Sequence, residues 1–496
     1  MNSFSEKIRR VIPRWRNFRV SARLGEILPL KSPAYSEPLV LSAADAWQVW
    51  SSAKNPNSAG ELLSSGLLSG DEKAVREASA FLLNGGSQAS PFAREFARSV
   101  LSIESLSNIS IPGSHADQDV RSIRALLRLN PFDAVAWADL ARFHTIGGRF
   151  EKAHRAILTA LRLAPGNRYI LRTAVRCLIH LEKADQALFH LVRCQTTEHD
   201  PWLLAAHLTA SSIEGKVSRL RKRALAVSTF DMDPLHLSEL RASLASDELM
   251  AGNSKKGRKL LQAALQKPTE NVIAQAWWAS RVLNMDPPVH MVGRDLAFEA
   301  DTKAAFASAQ WEKAERAASA WLADEPFSSR PAITCSFLHA VAFEEHQTAI
   351  QILRSALKAN PDDPQLLNNL AFSLANIGKT EEASDLVRNA IQAADKEDLK
   401  IAAVATSGLI AFRMGNADTG RAKYREAIRM ADECKLHSTK AHATLFLARE
   451  ERLAKTPEAD STLKEAIELA DKHPTANSEL IKQVVIDGPK KRSADQ

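Results

Sequence analysis

An internal repeat is the feature that most constrains this 496-residue chain. Its clearest unit follows Asn130-Pro131 and reads AVAWADLARFHTIGGRFEKAHRAILTALRLAP. Trp137, Leu140, Ala141 and His144 keep a W-x2-L-G-x2-Y spacing, Gly148 and Phe150 mark a turn, and Ala153, Ile157, Ala160 and Pro165 follow. Ala141, Ala153 and Ala160 fall where two antiparallel helices cross and only small residues fit, with Trp137, Leu140 and Ile157 filling the flanks. Gly148 suits the left-handed position that ends the first helix, and Pro165 stops the second. With Ala160 as the marker, an equivalent packed position recurs at Cys194, Ala264, Trp321, Ala356, Ala390, Ala427 and Ala466, several of them at intervals of 34 or 35. Such a period predicts stacked helical hairpins, each burying its apolar face on the next.

Composition agrees. The chain is 45% hydrophobic and 25% charged, which excludes disorder and collagen, and its low aromatic content of 6% with only 19 Gly and 21 Pro favours an all-α protein. The unit resembles a tetratricopeptide repeat, over roughly residues 118–473 and most closely at 130–196 and 329–430. The resemblance implies an α-solenoid wound as a right-handed superhelix, with a concave groove lined by the first helix of each repeat. It also implies a non-enzymatic scaffold or adaptor that binds a protein or peptide there.

The organisation expected is a basic arm at 1–31, a helical region at 40–107 readable as degenerate repeats, repeats at 118–285, and an interruption at 286–294 around Asp286-Pro287-Pro288. Repeats resume at 295–473, and 484–496 reads as a loose tail. A lone helix carrying Trp277 and Trp278 is expected before the interruption, and an extra repeat between Trp202 and Ser228.

Net charge is +7, but eight basic residues against two acidic ones in 1–31 supply six of those seven, so the rest of the chain is nearly balanced. Arg9, Arg10, Arg14, Trp15, Arg16 and Arg19 are the arm's candidate contact residues. Phe4, Ile8, Val11, Ile12, Trp15 and Phe18 recur at helical spacing, with Pro13 dividing the stripe into two short helices. Such an arm can bind a membrane surface, an acidic partner or nucleic acid, or dock on the first helices as a cap. Two other basic runs, at Lys216–Arg223 and Lys255–Lys259, read as solvated convex surface.

By the register of the resemblance, Arg142, Tyr169, Arg172, Arg176 and His180 share one exposed concave stretch suited to an acidic peptide, a carboxylate or a phosphate. Asn368 and Asn369 match part of the family's carboxylate clamp, but Thr334, Leu338 and Ala402 stand where its other polar and basic residues belong. Asn376, Leu409, Phe412 and Arg413 continue a more apolar groove that suits an amphipathic helix or aliphatic peptide.

Chemistry-bearing motifs are lacking. Gly378-Lys379-Thr380 has Ser373 where a phosphate loop needs glycine, and reads as the turn inside a repeat. His339 and His346 flank Glu344 and Glu345 without metalloprotease spacing, and read as one packed and one solvated residue. No cofactor, metal or catalytic residue is expected. Cys177, Cys194, Cys335 and Cys434 lie far apart, as small apolar residues of a reduced compartment would, and neither a secretory signal nor a membrane span is readable, so a cytoplasmic protein is expected. Two other functions fit the same sequence: a nucleic-acid-associated or regulatory subunit, and a control subunit of a separately encoded enzyme.

Overall fold

A computed structural model describes residues 10–15, 43–69, 71–84, 116–283 and 296–489, with single positions at 89, 93, 94, 97, 288 and 291. Every regular element among them is helical. Helices α1 (Ala43–Ser52), α2 (Pro56–Ser69) and α3 (Glu72–Asn84) enclose a small core of Trp50, Leu62, Leu63 and Leu82.

The stack follows. Its first part comprises α4 (Ala116–Leu129), α5 (Ala134–Ile146), α6 (Phe150–Leu163), α7 (Arg168–His180), α8 (Ala184–Arg193), α9 (Pro201–Ile213), α10 (Arg221–Val227), α11 (Pro234–Met250), α12 (Ser254–Ala264) and α13 (Glu270–Leu283). Its second comprises α14 (Phe298–Ala307), α15 (Trp311–Asp324), α16 (Ser329–Phe337), α17 (His346–Ala359), α18 (Pro364–Asn376), α19 (Thr380–Ala393), α20 (Glu397–Arg413), α21 (Ala417–Glu433), α22 (His437–Ala454), α23 (Ala459–Lys472) and α24 (Ala476–Asp487). Each helix packs on the next, and the first helices of successive hairpins also pack on one another: α5 on α7, α7 on α9, α9 on α11, then α16 on α18 and onward to α24. That double neighbour rule is an α-solenoid.

Local sequence explains where the hairpins start. Asp133, Asn167, Asp200 and Asp233 each cap a first helix, their side-chain oxygens accepting from backbone N–H groups two or three residues on. Asp363 does the same for α18. Each cap is worth about 1 kcal/mol. Between paired helices the chain turns through left-handed glycines, Gly148 (φ +68°), Gly378 (φ +82°) and Gly415 (φ +80°) among them. The lysine after Gly378 is thus part of a helical turn. The extra hairpin after Trp202 is α9 with α10, and α13 carries Trp277 and Trp278. All eight marker positions from Ala160 to Ala466 are buried.

Two expectations need correction. Residues 484–487 are no tail: they complete α24, whose Val484 and Val485 are buried against the last core. Cys434 is exposed, unlike the three buried cysteines, because it lies just past the end of α21. Most of 286–294 lies outside the described residues.

The stack also meets itself. Helix α5 touches α17, and a Cβ on Gly148 would collide with the Lys358 carbonyl oxygen. His180 Nε2 donates to the Ala359 carbonyl at 3.0 Å, and Asn360 Nδ2 donates to the Phe327 carbonyl at 3.0 Å. Residues from α5 to α17 therefore close a ring, and α18 to α24 continue from it and curve back, α24 packing on the turn at Leu338–Ala342 and Trp311 Nε1 donating to Gln483 Oε1 at 3.0 Å.

Ala390 lies 1% exposed at a helix crossing. Ala390→Trp should cost about 1 to 3 kcal/mol by overpacking, read as a lowered midpoint in chemical denaturation with secondary structure retained below the transition.

Candidate functional site: the inner face of the solenoid

The inner face has two parts of different character. The ring encloses residues 10–15, which run without helix across its wall. The expected pair of short helices is thus absent at these positions, since Pro13 removes a donor and the carbonyls on both sides bond to the solenoid instead. Thr209 Oγ1 donates to the Val11 carbonyl at 2.9 Å, Asn271 Nδ2 to the Ile12 carbonyl at 2.7 Å, and Arg142 Nε to the Trp15 carbonyl at 3.2 Å. Val11 packs with Ala242, Ala264 and Val272, and fully buried Trp15 lies 5.2 Å from the Phe327 ring.

The arm's two described cations, Arg10 and Arg14, are half-buried with it. Arg10 donates to Ser212 Oγ and to the Ser212 carbonyl, at 2.9 and 3.1 Å. Arg14 bridges Glu299, at 2.6 Å, and Glu325. Burial alone would raise the Glu325 carboxyl, but Arg14 and Arg176 outweigh it and hold it below its ordinary range. Arg9, Arg16 and Arg19 lie outside the described residues.

The five candidate groove residues of the first repeats do converge here, but as part of the enclosed wall. The expected exposure of Arg142, Tyr169 and Arg172 is incorrect for a physical reason: the ring closes over them and supplies internal partners, while Arg176 and His180 are half-buried. Arg142 and Arg172 are buried, at 6% and 3% exposure. Arg142 also donates to the Asp324 carbonyl at 3.1 Å, and Arg172 pairs with Glu239 at 3.0 Å while lying over the Trp202 ring. Arg176 lies 4.7 Å above the Phe327 ring. Tyr169 is buried, and His180 packs edge-on to Phe327. Burial, reinforced by Arg176, lowers the His180 pKa to about 4, so its ring is neutral. An incoming acidic ligand would find Arg142 bonded to backbone carbonyls, Arg172 paired with Glu239 and Arg176 stacked on Phe327.

The open part differs. A cavity of about 140 Å³ opens between α16, α18, α20, α22 and α24, all of them first helices. Its wall carries Asn368, Asn369, Phe372, His442, Phe446 and Ile481, and no Asp, Glu, Lys or Arg. Phe372 and Phe446 rings meet at 5.5 Å. The Asn368 Oδ1 atom is buried without a hydrogen-bond partner. Burial lowers the His442 pKa to about 3, leaving an uncharged ring at 3.1 Å from Thr475 Oγ1.

Of the other candidates, Asn376 and Arg413 sit side by side, Arg413 Nη2 donating to Asn376 Oδ1 at 2.9 Å and the guanidinium pairing with buried Glu450. They do not line the cavity. Phe412 turns away from the groove altogether: it is buried against Gly420 and Tyr424, because α20 and α21 approach so closely there that only glycine fits. Phe372 and Phe446 went unnoticed in the sequence, though both fall on first helices one turn from polar groove positions.

His339 is the packed member of its pair, and His346 is half-buried beside Phe372 rather than solvated. His339 lies in a π-helical turn, Leu338–Ala342, with Glu345 on Nδ1 at 2.7 Å and Glu315 on Nε2 at 3.3 Å. The potential ligand atoms of Glu315, Cys335 and His339 lie within 4.8 Å of one another. Yet carboxylates on both ring nitrogens describe a doubly protonated imidazolium, whereas a metal needs one nitrogen bare.

The class that this fold defines is a helical-repeat solenoid whose first helices form the inner face. Residues 340–405, from the π-helical turn into α20, match the tetratricopeptide repeat family model. No curated protein matches the sequence. Among solved structures the chain is similar to the APC/C hetero-tetramer Cut9-Hcn1, at 14% identity over 89% of this chain and 92% of that one, with a TM-score of 0.36. It is also similar to yeast Tom70, at 13% identity over 75% and 92%, with a TM-score of 0.27. No helix among the described residues is long and apolar enough to cross a membrane.

Two outcomes test this electrostatic account. Arg172→Glu sets two carboxylates together in a dry wall and should destabilise the chain by about 3 to 5 kcal/mol in urea denaturation, where an exposed arginine would show almost no effect. Burial would lower the His339 pKa, but Cys335, Glu315 and Glu345 raise it to about 10 against an ordinary 6.5. Its contribution is therefore complete below pH 6.5 and lost as pH rises through 10, so stability should fall between pH 7 and 10 more steeply than in His339→Gln.

Proposed function

We propose that this chain is a non-enzymatic scaffold or adaptor that holds an apolar or amphipathic protein segment on its open inner face, between α16 and α24. The observation that carries this reading is the uncharged cavity built from five successive first helices. Aromatic rings at Phe372 and Phe446 offer apolar contact area, and the amides of Asn368 and Asn369 can pair with a peptide backbone or a side-chain hydroxyl. The unpartnered Asn368 Oδ1 favours a ligand that donates a hydrogen bond there, since an unmet buried acceptor costs about 1 to 3 kcal/mol. Affinity in such a groove comes from a few anchors rather than one chemical group.

An acidic ligand on Arg142, Arg172 and Arg176 is not part of this reading, because those side chains are internally engaged. The nucleic-acid alternative loses Arg10 and Arg14, which are committed to Ser212 and to the Glu299–Glu325 pair.

The test is site-specific photocrosslinking from residues 372 and 446 in the full chain, with exposed Arg388 on α19 as the outward control. A protein crosslinked from both inner positions, and lost on Phe372→Asp with an unchanged melting curve, is the expected result. Equal crosslinking from the control position, or no product from either inner one, would refute the assignment.

A further inference from the structure

The ring's interior holds a peptide, and that peptide is the chain's own. We propose that the inner face between α5 and α15 is a second binding site, distinct from the open cavity, which recognises an extended basic–aromatic segment of the form Arg-x-x-x-Arg-Trp. Residues 10–15 fill it in cis, and the same segment presented by another molecule can take their place.

The contacts are those of recognition rather than of a packed element. Three carbonyls of the segment accept from side chains on three different first helices, Thr209 on α9, Asn271 on α13 and Arg142 on α5. Thr209 and Arg142 both occupy the ninth residue of their helices, one groove position repeated along the stack. Such bonds fix an extended backbone in register without regard to its side chains. Side-chain selection is layered on top of that. Glu299 and Glu325 converge on the Arg14 guanidinium, the Ser212 pair takes Arg10, and Phe327 meets the Trp15 ring.

The wall can persist when the segment leaves. Its helices keep their neighbours in the stack, each packed on the helices before and after it. Glu299 retains Lys303, at 3.3 Å, and Arg330, while Glu325 retains the Trp321 indole N–H at 3.0 Å. Without Arg14 the two carboxylates thus keep partial compensation and remain an acidic pocket for a cation. Six residues held by reversible contacts inside such a wall form a resident ligand, and a partner bearing a matching segment would compete with it.

Fluorescence anisotropy of a labelled peptide with the sequence of residues 8–17, IRRVIPRWRN, tests this on the full-length chain. In the doubly substituted chain Arg14→Glu, Trp15→Ala, the cis segment can no longer compete, and the peptide should bind saturably, at least about tenfold more tightly than to the unsubstituted chain. A peptide carrying the same two changes, or a scrambled one of equal charge, should bind at least about tenfold more weakly to that variant. The single variant Trp15→Ala serves as a second host, and circular dichroism establishes that each is folded. Absence of binding to the folded variants, equal binding of the scrambled peptide, or equal binding to the unsubstituted chain overturns the proposal. So does loss of helix in both variants, which would make residues 10–15 an element of the core.

Discussion

Close approach of helix backbones is the constraint on which everything else in this solenoid depends. Where α20 crosses α21, a Cβ on Gly408 would lie 2.6 Å from the Tyr424 ring and 2.9 Å from the Gly420 carbonyl oxygen. At Gly257 an added Cβ would meet Leu249 at 2.7 Å. Alanine serves the same end at Ala141, Ala153 and Ala160, all fully buried. These small residues bring the helices of each hairpin into contact, and the small rotation between hairpins then accumulates into a superhelix. An inner face exists only because the hairpins stack that tightly, and both binding regions are built on it.

The repeat was legible in the sequence because its determinants are local. Spacing, turn glycines and small crossing residues all act within one hairpin, and the markers from Ala160 to Ala466 are buried as the period requires. The recurring caps at Asp133, Asn167, Asp200 and Asp233 are equally local and strengthen it. What the period could not convey is how far the superhelix turns before meeting itself. Arg142 and Arg172 are read onto the inner face by register, yet whether that face is wet depends on the Asp324 carbonyl, Glu239 and a segment at the N-terminus, all remote in sequence. Phe412 shows the opposite limit: one helical position separates a groove residue from a core residue, and register by analogy does not resolve it.

Charge was the more misleading signal. The basic arm is conspicuous as a block, whereas the carboxylates that receive it, Glu299 and Glu325, are scattered among ordinary helix residues and become a pair only in three dimensions. A positively charged tail next to a nearly neutral body invites an external anion as partner. Burial of Arg14 between two glutamates shows that part of this charge is answered internally. The cavity of the other half is uncharged for its own reason, since its wall carries amides, hydroxyls and aromatic rings where a charge-reading groove would carry lysine or arginine.

The meeting of Gly148 with Lys358, and of His180 with Ala359 across 179 residues of chain, has a kinetic meaning. A linear repeat array unfolds from its ends, each hairpin leaving with only a nearest-neighbour penalty. Here the first hairpins cannot fray without breaking bonds to α17, and the last helix cannot without leaving Trp311 and the turn at 338–342, so both parts of the array are tied back on themselves. Forming that tie requires a long loop closure, and contacts of such separation are slow to make. The molecule thus forms its closures late, and hydrogen exchange would register α5 and α24 losing protection together with the distant helices they meet.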